Sequence, residues 1–273
     1  MTSNPKDTTD RDFGLLDRAA SLEGVTIRDD QYEFPWLLDA VRVCKNKGGR
    51  FRLVDSGRRD VVSLSWLAEA GADIYSSDEA RPDPQEIVPV RMSGRDAGAY
   101  TFYYIGGDTT ESPERAAFLS AIAELGRAGV DLHLSNRDKP RAAGLLLDLS
   151  RACLSGGGRL VYYHHGRAAL FLEDLAGAGG WIHCAAESYD PDKDLYILRD
   201  VLQASRLSRS GIVLHLNRVS ALSLAGEAFE RGAYLRFHTP PSERPSALRK
   251  LEVEAARRRL DPRAFYLSCD FLP

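Results

Sequence analysis

The 273-residue sequence predicts an α/β fold, a single (β/α)8 barrel of the TIM type with extra N-terminal helices and an irregular second βα unit. Three observations carry that expectation. First, one phrase recurs four times: Ala70-Gly71-Ala72-Asp73-Ile74, Ala128-Gly129-Val130-Asp131-Leu132, Ala178-Gly179-Gly180-Trp181-Ile182 and Arg231-Gly232-Ala233-Tyr234-Leu235. Each time a helix-like stretch stops at glycine and a short apolar strand follows, which is the seam of a βα unit. Second, the seam glycines stand 58, 50 and 53 residues apart, and each interval holds two βα units. Third, eight strand-like segments are nearly all separated by helices, and no Gly-x-Gly-x-x-Gly follows the first strand as a dinucleotide-binding open sheet would require.

Taken in order, residues 1–12 read as a polar, disordered lead-in, and 13–273 as one barrel domain. Residues 12–22 and 34–47 read as helices; Trp36, Leu37, Ala40, Val41 and Cys44 fall at helical spacing in the second. They precede the first predicted repeat and are expected to cover the bottom of the barrel. Strands are expected at 51–55, 73–77, 100–105, 131–135, 159–165, 181–185, 212–216 and 234–238. Helices fall between them, one opened by Ser112-Pro113-Glu114 with Ser as cap and Pro at the first helical position. Two prolines and the apolar run 88–92 break the second unit, where a short strand and a turn are expected instead of a helix. Residues 264–269 form a ninth strand-like piece left over from the eightfold count.

Composition is that of an ordinary globular chain, 44% apolar and 27% charged. Net charge is −3, with acidic and basic residues interspersed, so bulk nucleic-acid binding is not expected. No apolar run approaches the roughly 18 residues of a membrane span. The first residues lack the basic-then-apolar order of an export signal. Cys44, Cys153, Cys184 and Cys269 are far apart and without C-x-x-C spacing. They are expected to be buried thiols in a cytoplasmic protein rather than a disulfide framework. Oligomeric state is not legible.

Barrel enzymes gather their chemistry at the C-terminal ends of the strands. All six histidines fall there: His133, His164, His165, His183, His215 and His238 lie on or end a predicted strand, and none lies on a helix. Side chains alternate along a strand. If Leu132 and Leu134 face the helices, His133 and Ser135 point the other way. The same parity points His183 with Glu187, His215 with Asn217, and Arg236 with His238. Which of His164 and His165 joins them is open.

Such an arc has two chemical uses. His133, His183, His215 and His238 are candidate ligands for a divalent metal, which would activate water for hydrolysis. Alternatively, imidazoles serve as general acid and base, because they titrate near neutral pH. Asp55, His165 and Glu187 are the candidate catalytic residues, the two carboxylates because they end strands rather than start helices. Arg58, Arg137, Asn217, Arg218 and Arg236 are candidates for holding a small phosphate- or carboxylate-bearing ligand. Asp73 and Asp131 begin strands, where a stabilising role is expected.

Short likenesses to known families stop short of their catalytic positions. Asp131-Leu132-His133-Leu134-Ser135 resembles the D-L-H-x-H opening of the PHP phosphoesterases, with Ser135 in place of the second histidine and on strand four rather than strand one. The amidohydrolase barrels carry His-x-His on strand one, where this chain has Leu53-Val54-Asp55. Residues 67–82 loosely resemble glycerophosphodiester phosphodiesterases, without their His-Arg-Gly or Glu-x-Asp. No family assignment follows. The expected function is a hydrolase of a small anionic substrate; the alternatives are a non-catalytic ligand- or partner-binding barrel and a metal-free lyase or isomerase.

Overall fold

A computed structural model describes residues 14–21, 24–110, 112–190, 192–216, 222–238 and 245–257. Among them are nine parallel strands that follow one another in chain order, the succession of the (β/α) repeat. The strands are β1 (Val25–Arg28), β2 (Phe51–Val54), β3 (Asp73–Ser77), β4 (Thr101–Ile105), β5 (Asp131–Ser135), β6 (Leu160–His164), β7 (Trp181–Ala185), β8 (Ile212–Leu216) and β9 (Tyr234–Phe237). Helix α1 covers residues 14–19. It is followed by α2 (Phe34–Asn46), α3 (Val61–Ala70), α4 (Ile87–Gly94), α5 (Pro113–Arg127), α6 (Ala143–Gly156), α7 (Phe171–Gly177), α8 (Leu195–Ser208), α9 (Leu222–Glu230) and α10 (Ser246–Arg257). All four seam glycines have positive φ, 114° at Gly71, 89° at Gly129, 95° at Gly179 and 109° at Gly232. A side chain is strained there, which is why glycine recurs at each helix-to-strand join.

The chain divides into two compact units. The first holds β1 to β4 with α1 to α5. Here the expectation needs two corrections. The ninth strand among the described residues is β1; the 264–269 piece and the lead-in 1–12 lie outside the described residues. β1 is only Val-Thr-Ile-Arg, with Val25 and Ile27 buried and the alternate residues exposed, too short for a periodic signal. It pairs in parallel with β2, Val25 opposite Phe51 and Ile27 opposite Leu53. Helix α2 is therefore the crossover between two paired strands rather than a cover added before the first repeat. It buries Leu37, Ala40, Val41 and Cys44 against Phe51, Leu53, Leu64 and Ile74, with Leu15 of α1 in the same cluster. Gly24 makes the entry to β1 feasible, since a Cβ there would lie 2.3 Å from the Arg50 carbonyl.

The second correction concerns residues 88–92, which are helical. Ile87, Val90 and Gly94 are buried at i, i+3 and i+7, one face of a helix. The β-branched run disguises that period. Pro89 falls in the first turn, where a helical amide has no intrahelical acceptor, so it does not break α4.

Asp55, just past β2, ties this unit together. Its carboxylate accepts from Arg81 Nε at 3.0 Å and a second Arg81 nitrogen at 3.1 Å, from Ser76 Oγ at 2.7 Å and from the Gly57 amide at 2.9 Å. Arg81 also donates to Glu86 and to the Arg59 carbonyl. The carboxylate beside it raises the already high pKa of Arg81. At the other end of β3, buried Asp73 accepts from Arg50 and from the Tyr100 amide, as a carboxylate at a strand start was expected to do.

The second unit holds His133 onward on β5, then β6 to β9 with α6 to α10. β6 to β9 pair in parallel with Tyr163 opposite His183, Ala185 opposite His215 and His215 opposite Arg236. On one face Val161, Tyr163, Trp181 and Val213 form an apolar cluster with Tyr234 packed against it. Trp181 stacks on Tyr234 with ring centroids 5.6 Å apart and carries the Arg159 guanidinium 4.2 Å from its own. Cys44, Cys153 and Cys184 are buried free thiols, and Cys269 lies outside the described residues.

Removing one partner of a buried ion pair leaves the other charge without compensation. Asp55→Ala is therefore expected to lower the unfolding free energy by about 3–5 kcal/mol, read by urea denaturation. Asp148→Ala, which breaks an exposed pair with Arg151 at 3.2 Å, is expected to leave the midpoint nearly in place.

Candidate functional site

The second unit carries a row of aromatic side chains on one sheet face. His133 Nδ1 lies 2.9 Å from the Tyr163 hydroxyl. The Tyr163 ring lies 4.7 Å from that of His183. His183 Nδ1 is 3.0 Å from His215 Nε2, and His215 Nδ1 is 2.8 Å from His238 Nε2. The rings follow one another at 5.2 Å and 5.1 Å, the last pair nearly parallel at 15°.

Strand register builds this row. Side chains at alternate positions share a face, and His183, His215 and His238 each fall on it. Tyr163 is level with His183, but His215 is level with Ala185, two residues further along β7. His238 in turn stands two residues beyond Arg236, which is level with His215. The file thus climbs diagonally, one side-chain step per strand, and diagonal neighbours are within reach of ring side chains.

Burial falls sharply along the file. His133, His183 and His215 are each 1% exposed, whereas His238 is open to solvent. Burial holds the His183 imidazole neutral, well below the usual histidine range, with help from His133 and the Arg236 cation. His215 is pushed down to about 2, first by burial, then by His183, His238, Arg236 and His165. His238 is lowered by burial and by Arg236, while Glu187 opposes them and raises it.

The sequence-expected residues divide as follows. His133, His183, His215, His238 and Arg236 share the unit and the face. His165, half-buried, acts electrostatically on His215, and its backbone is clamped at both N–H and C=O by the Asn136 side chain, at 2.6 and 3.0 Å. His164 belongs elsewhere: its ring packs on Phe171 of α7 and its Nε2 contacts the Arg167 carbonyl at 2.8 Å. Glu187 is exposed in the turn Ala186–Ser188. Arg137 is exposed after β5, its amide held by Ser135 Oγ. Asp55 and Arg58 are in the first unit, Asp55 engaged with Arg81 and Arg58 exposed, 3.8 Å from Asp30. Asn217 and Arg218 lie outside the described residues.

Two members of the assembly were not singled out by the sequence. Tyr163 occupies the place on β6 where a histidine was sought, and Asn136 fixes His165. Parity within Tyr162-Tyr163-His164 would have selected Tyr163 once either neighbour was known to face the helices.

The expected metal site is a separate matter. His215 turns its two nitrogens to different neighbours, so the three imidazoles do not aim at one point. Among the described residues no group of three or more His, Cys, Asp or Glu side chains is placed to hold a metal ion. The donor set does not fit a metal, and no chemical step is derived through one.

Comparison with protein families found no match, and comparison with curated proteins found none. Among solved structures the chain is similar to 3-dehydroquinate dehydratase from Aquifex aeolicus VF5, at 14% identity and TM-score 0.33, covering 88% of this chain and 100% of that one. It is also similar to a putative fructose-1,6-biphosphate aldolase from Coccidioides immitis, at 13% identity and TM-score 0.35, covering 89% and 87%. A third is deoxyribose phosphate aldolase from Aeropyrum pernix, at 15% identity and TM-score 0.32, covering 92% and 98%. Likeness of this degree carries no argument about chemistry.

The buried histidines make stability depend on pH with a definite sign. Their folded-state pKa values lie below the ordinary 6.5, so between those values the unfolded chain binds more protons. The stability His215 contributes is present above pH 6.5 and is lost as pH falls toward about 2, and the contribution of His183 has the same sign. Between pH 6 and 5 each contributes a slope of up to about 1.4 kcal/mol per pH unit. Urea denaturation across that window is expected to show a shallower slope for His215→Phe than for the wild type. Equal slopes would mean that His215 is not held neutral.

Proposed function

We propose that this chain is an enzyme that acts on a small anionic substrate by metal-free acid–base chemistry of the lyase or isomerase kind, with His238 moving the proton. The observation that carries the reading is the hydrogen-bonded file from buried His183 through His215 to exposed His238.

The inner histidines use their facing nitrogens on each other, and burial keeps them neutral. His238 is exposed, and its pKa is lowered from the ordinary histidine value, so its ring is neutral at pH 7 and open to accept a proton during turnover. Arg236 supports an anionic substrate in two ways. Its cation attracts the anion, and it depresses the basicity of His238, so that the ring is neutral and ready to accept a proton at pH 7. Glu187 acts oppositely and stabilises the imidazolium that forms when the proton arrives. His165 and Arg137 stand beyond the ends of β6 and β5 as further contacts for the substrate. Hydrolysis at a metal-bound water finds no donor set among these residues, so the reading does not route through a metal.

The direct assay is exchange of a carbon-bound hydrogen. A panel of carbonyl compounds bearing phosphate or carboxylate groups is incubated with the protein in D2O and followed by NMR. Deuterium incorporation is expected for the wild type. His238→Gln is expected to slow it by about 10²–10⁴-fold, the usual contribution of a positioned acid–base group. A panel compound that raises the melting temperature but never exchanges would make the chain a binding protein instead.

The pH profile supplies a second check. Because the His238 pKa is lowered, exchange is expected to fall only on acidification below pH 6.5. Arg236→Met removes a cause of that lowering, so the acid limb is expected to move to higher pH while KM for the anion rises. An unmoved limb would show that Arg236 does not act on His238.

A further inference from the structure

We propose that His183, His215 and His238 are locked into one shared tautomer, the proton on Nε2 of all three, so that His238 presents a bare Nδ1 as the base. His183 and His215 are then positioning residues that act through His238. The inference rests on the reading of His238 as the proton-moving group, and goes beyond it by specifying which atom does the work and what fixes it.

A neutral imidazole has one N–H and one lone pair. His215 spends Nε2 on His183 and Nδ1 on His238, so one of its contacts is a donation and the other an acceptance. If His215 donates from Nδ1, then His238 Nε2 is bare and the His238 proton sits on Nδ1. In the same arrangement His215 Nε2 accepts from His183, whose proton also sits on Nδ1. If instead His215 donates from Nε2, His183 Nδ1 is bare, and His238 must donate from Nε2 to His215 Nδ1. The three rings therefore carry the Nδ1 proton together or the Nε2 proton together. Any mixture sets two N–H groups, or two lone pairs, face to face, either at the buried 3.0 Å contact or at the part-buried 2.8 Å one.

The Nε2–H form is the intrinsically favoured neutral tautomer of a histidine side chain. In a locked file that preference applies three times to one equilibrium. It selects the arrangement in which His238 Nδ1 is a lone pair rather than a donor. In the proposed reaction a substrate C–H bond breaks, its electron pair stays on the substrate, and the proton goes to His238 Nδ1. His238 becomes an imidazolium and keeps its Nε2–H on His215 Nδ1. Burial makes His215 a poor base, so the charge stays on the exposed ring. When the proton is returned to substrate carbon or to a leaving group, the file regains its resting form with no net change.

The test is long-range 1H–15N correlation on protein labelled with 15N-histidine at pH 7.5, with resonances assigned through single variants. Bare and protonated ring nitrogens resonate far apart, so each tautomer is read directly. Wild-type protein is expected to show the Nε2–H pattern at all three residues. His183 has no hydrogen bond to His238, yet His183→Phe is expected to raise the Nδ1–H population of His238 by about threefold or more, because the file is shortened. His215→Phe is expected to do the same. His215→Gln keeps a polar partner whose amide accepts or donates as needed, so it interrupts transmission without leaving His238 unpaired. The same rise is expected there. Opposite tautomers within the wild-type file, or a His238 population unchanged by all three variants, would overturn the proposal. A mixed file in a protein whose exchange activity depends on His238 sinks this inference and leaves the acid–base reading standing. A uniform Nε2–H file in a protein whose His238→Gln form is fully active does the reverse.

Discussion

Parallel strand register is the constraint on which the rest of the second unit depends. Side chains alternate along a strand, so a slip of one residue would turn His183 and His215 toward the helices and bring Ile182 and Leu214 to the opposite face. Two features hold the register. A slip would drive buried imidazoles among the apolar side chains of the other face, and the seam glycines fix where β5, β7 and β9 begin. Once register is set, the diagonal between neighbouring strands follows. The strand backbones place His183 and His215 against each other, and His238, one residue past β9, continues the row.

The two units meet the cost of buried polar groups by opposite means. In the first, Asp55 and Arg81 remain charged, and each finds its counter-charge and further hydrogen bonds close by. Such a pair tolerates little change, since either charge alone would be stranded. In the second, the buried members are neutral. Imidazoles suit this arrangement because each supplies one donor and one acceptor, so a file of them satisfies itself without a counter-ion. The first device holds a structure in place. The second leaves its hydrogen positions free to exist in two alternative, internally consistent sets, which an ion pair does not offer.

Much of this was legible in the sequence, and the gaps have physical causes. The seams were readable because a helix that stops in the left-handed region calls for glycine and shows a local signal. The shared face of His133, His183, His215 and His238 was readable because strand periodicity is a local property. β1 was not, because four residues carry too few alternations to be distinguished from loop. α4 imitates a strand in the sequence because β-branched residues and a proline fill it and only three buried positions define the helix. A carboxylate that ends a strand reads as a site residue, and Asp55 is engaged with Arg81. Its partner Arg81 lies 26 residues away, and no local pattern announces that pairing. The difference between a metal centre and a hydrogen-bonded file lies in side-chain torsions, which residue types alone do not convey.

The direction of the burial gradient gives the file its chemical sense. An imidazole in the core is a weak base because its cation would lack solvation, and His183 and His215 are both in that position. A proton offered to the file is therefore retained at its outer end, where water and Glu187 stabilise the charge. Were all three rings exposed, the cation would be shared among them and none would be a defined base. Were all three buried, none would accept a proton near neutral pH. With two rings buried and one open, basicity is concentrated on the single ring that solvent reaches, and under the proposed function the buried pair contributes orientation in place of charge.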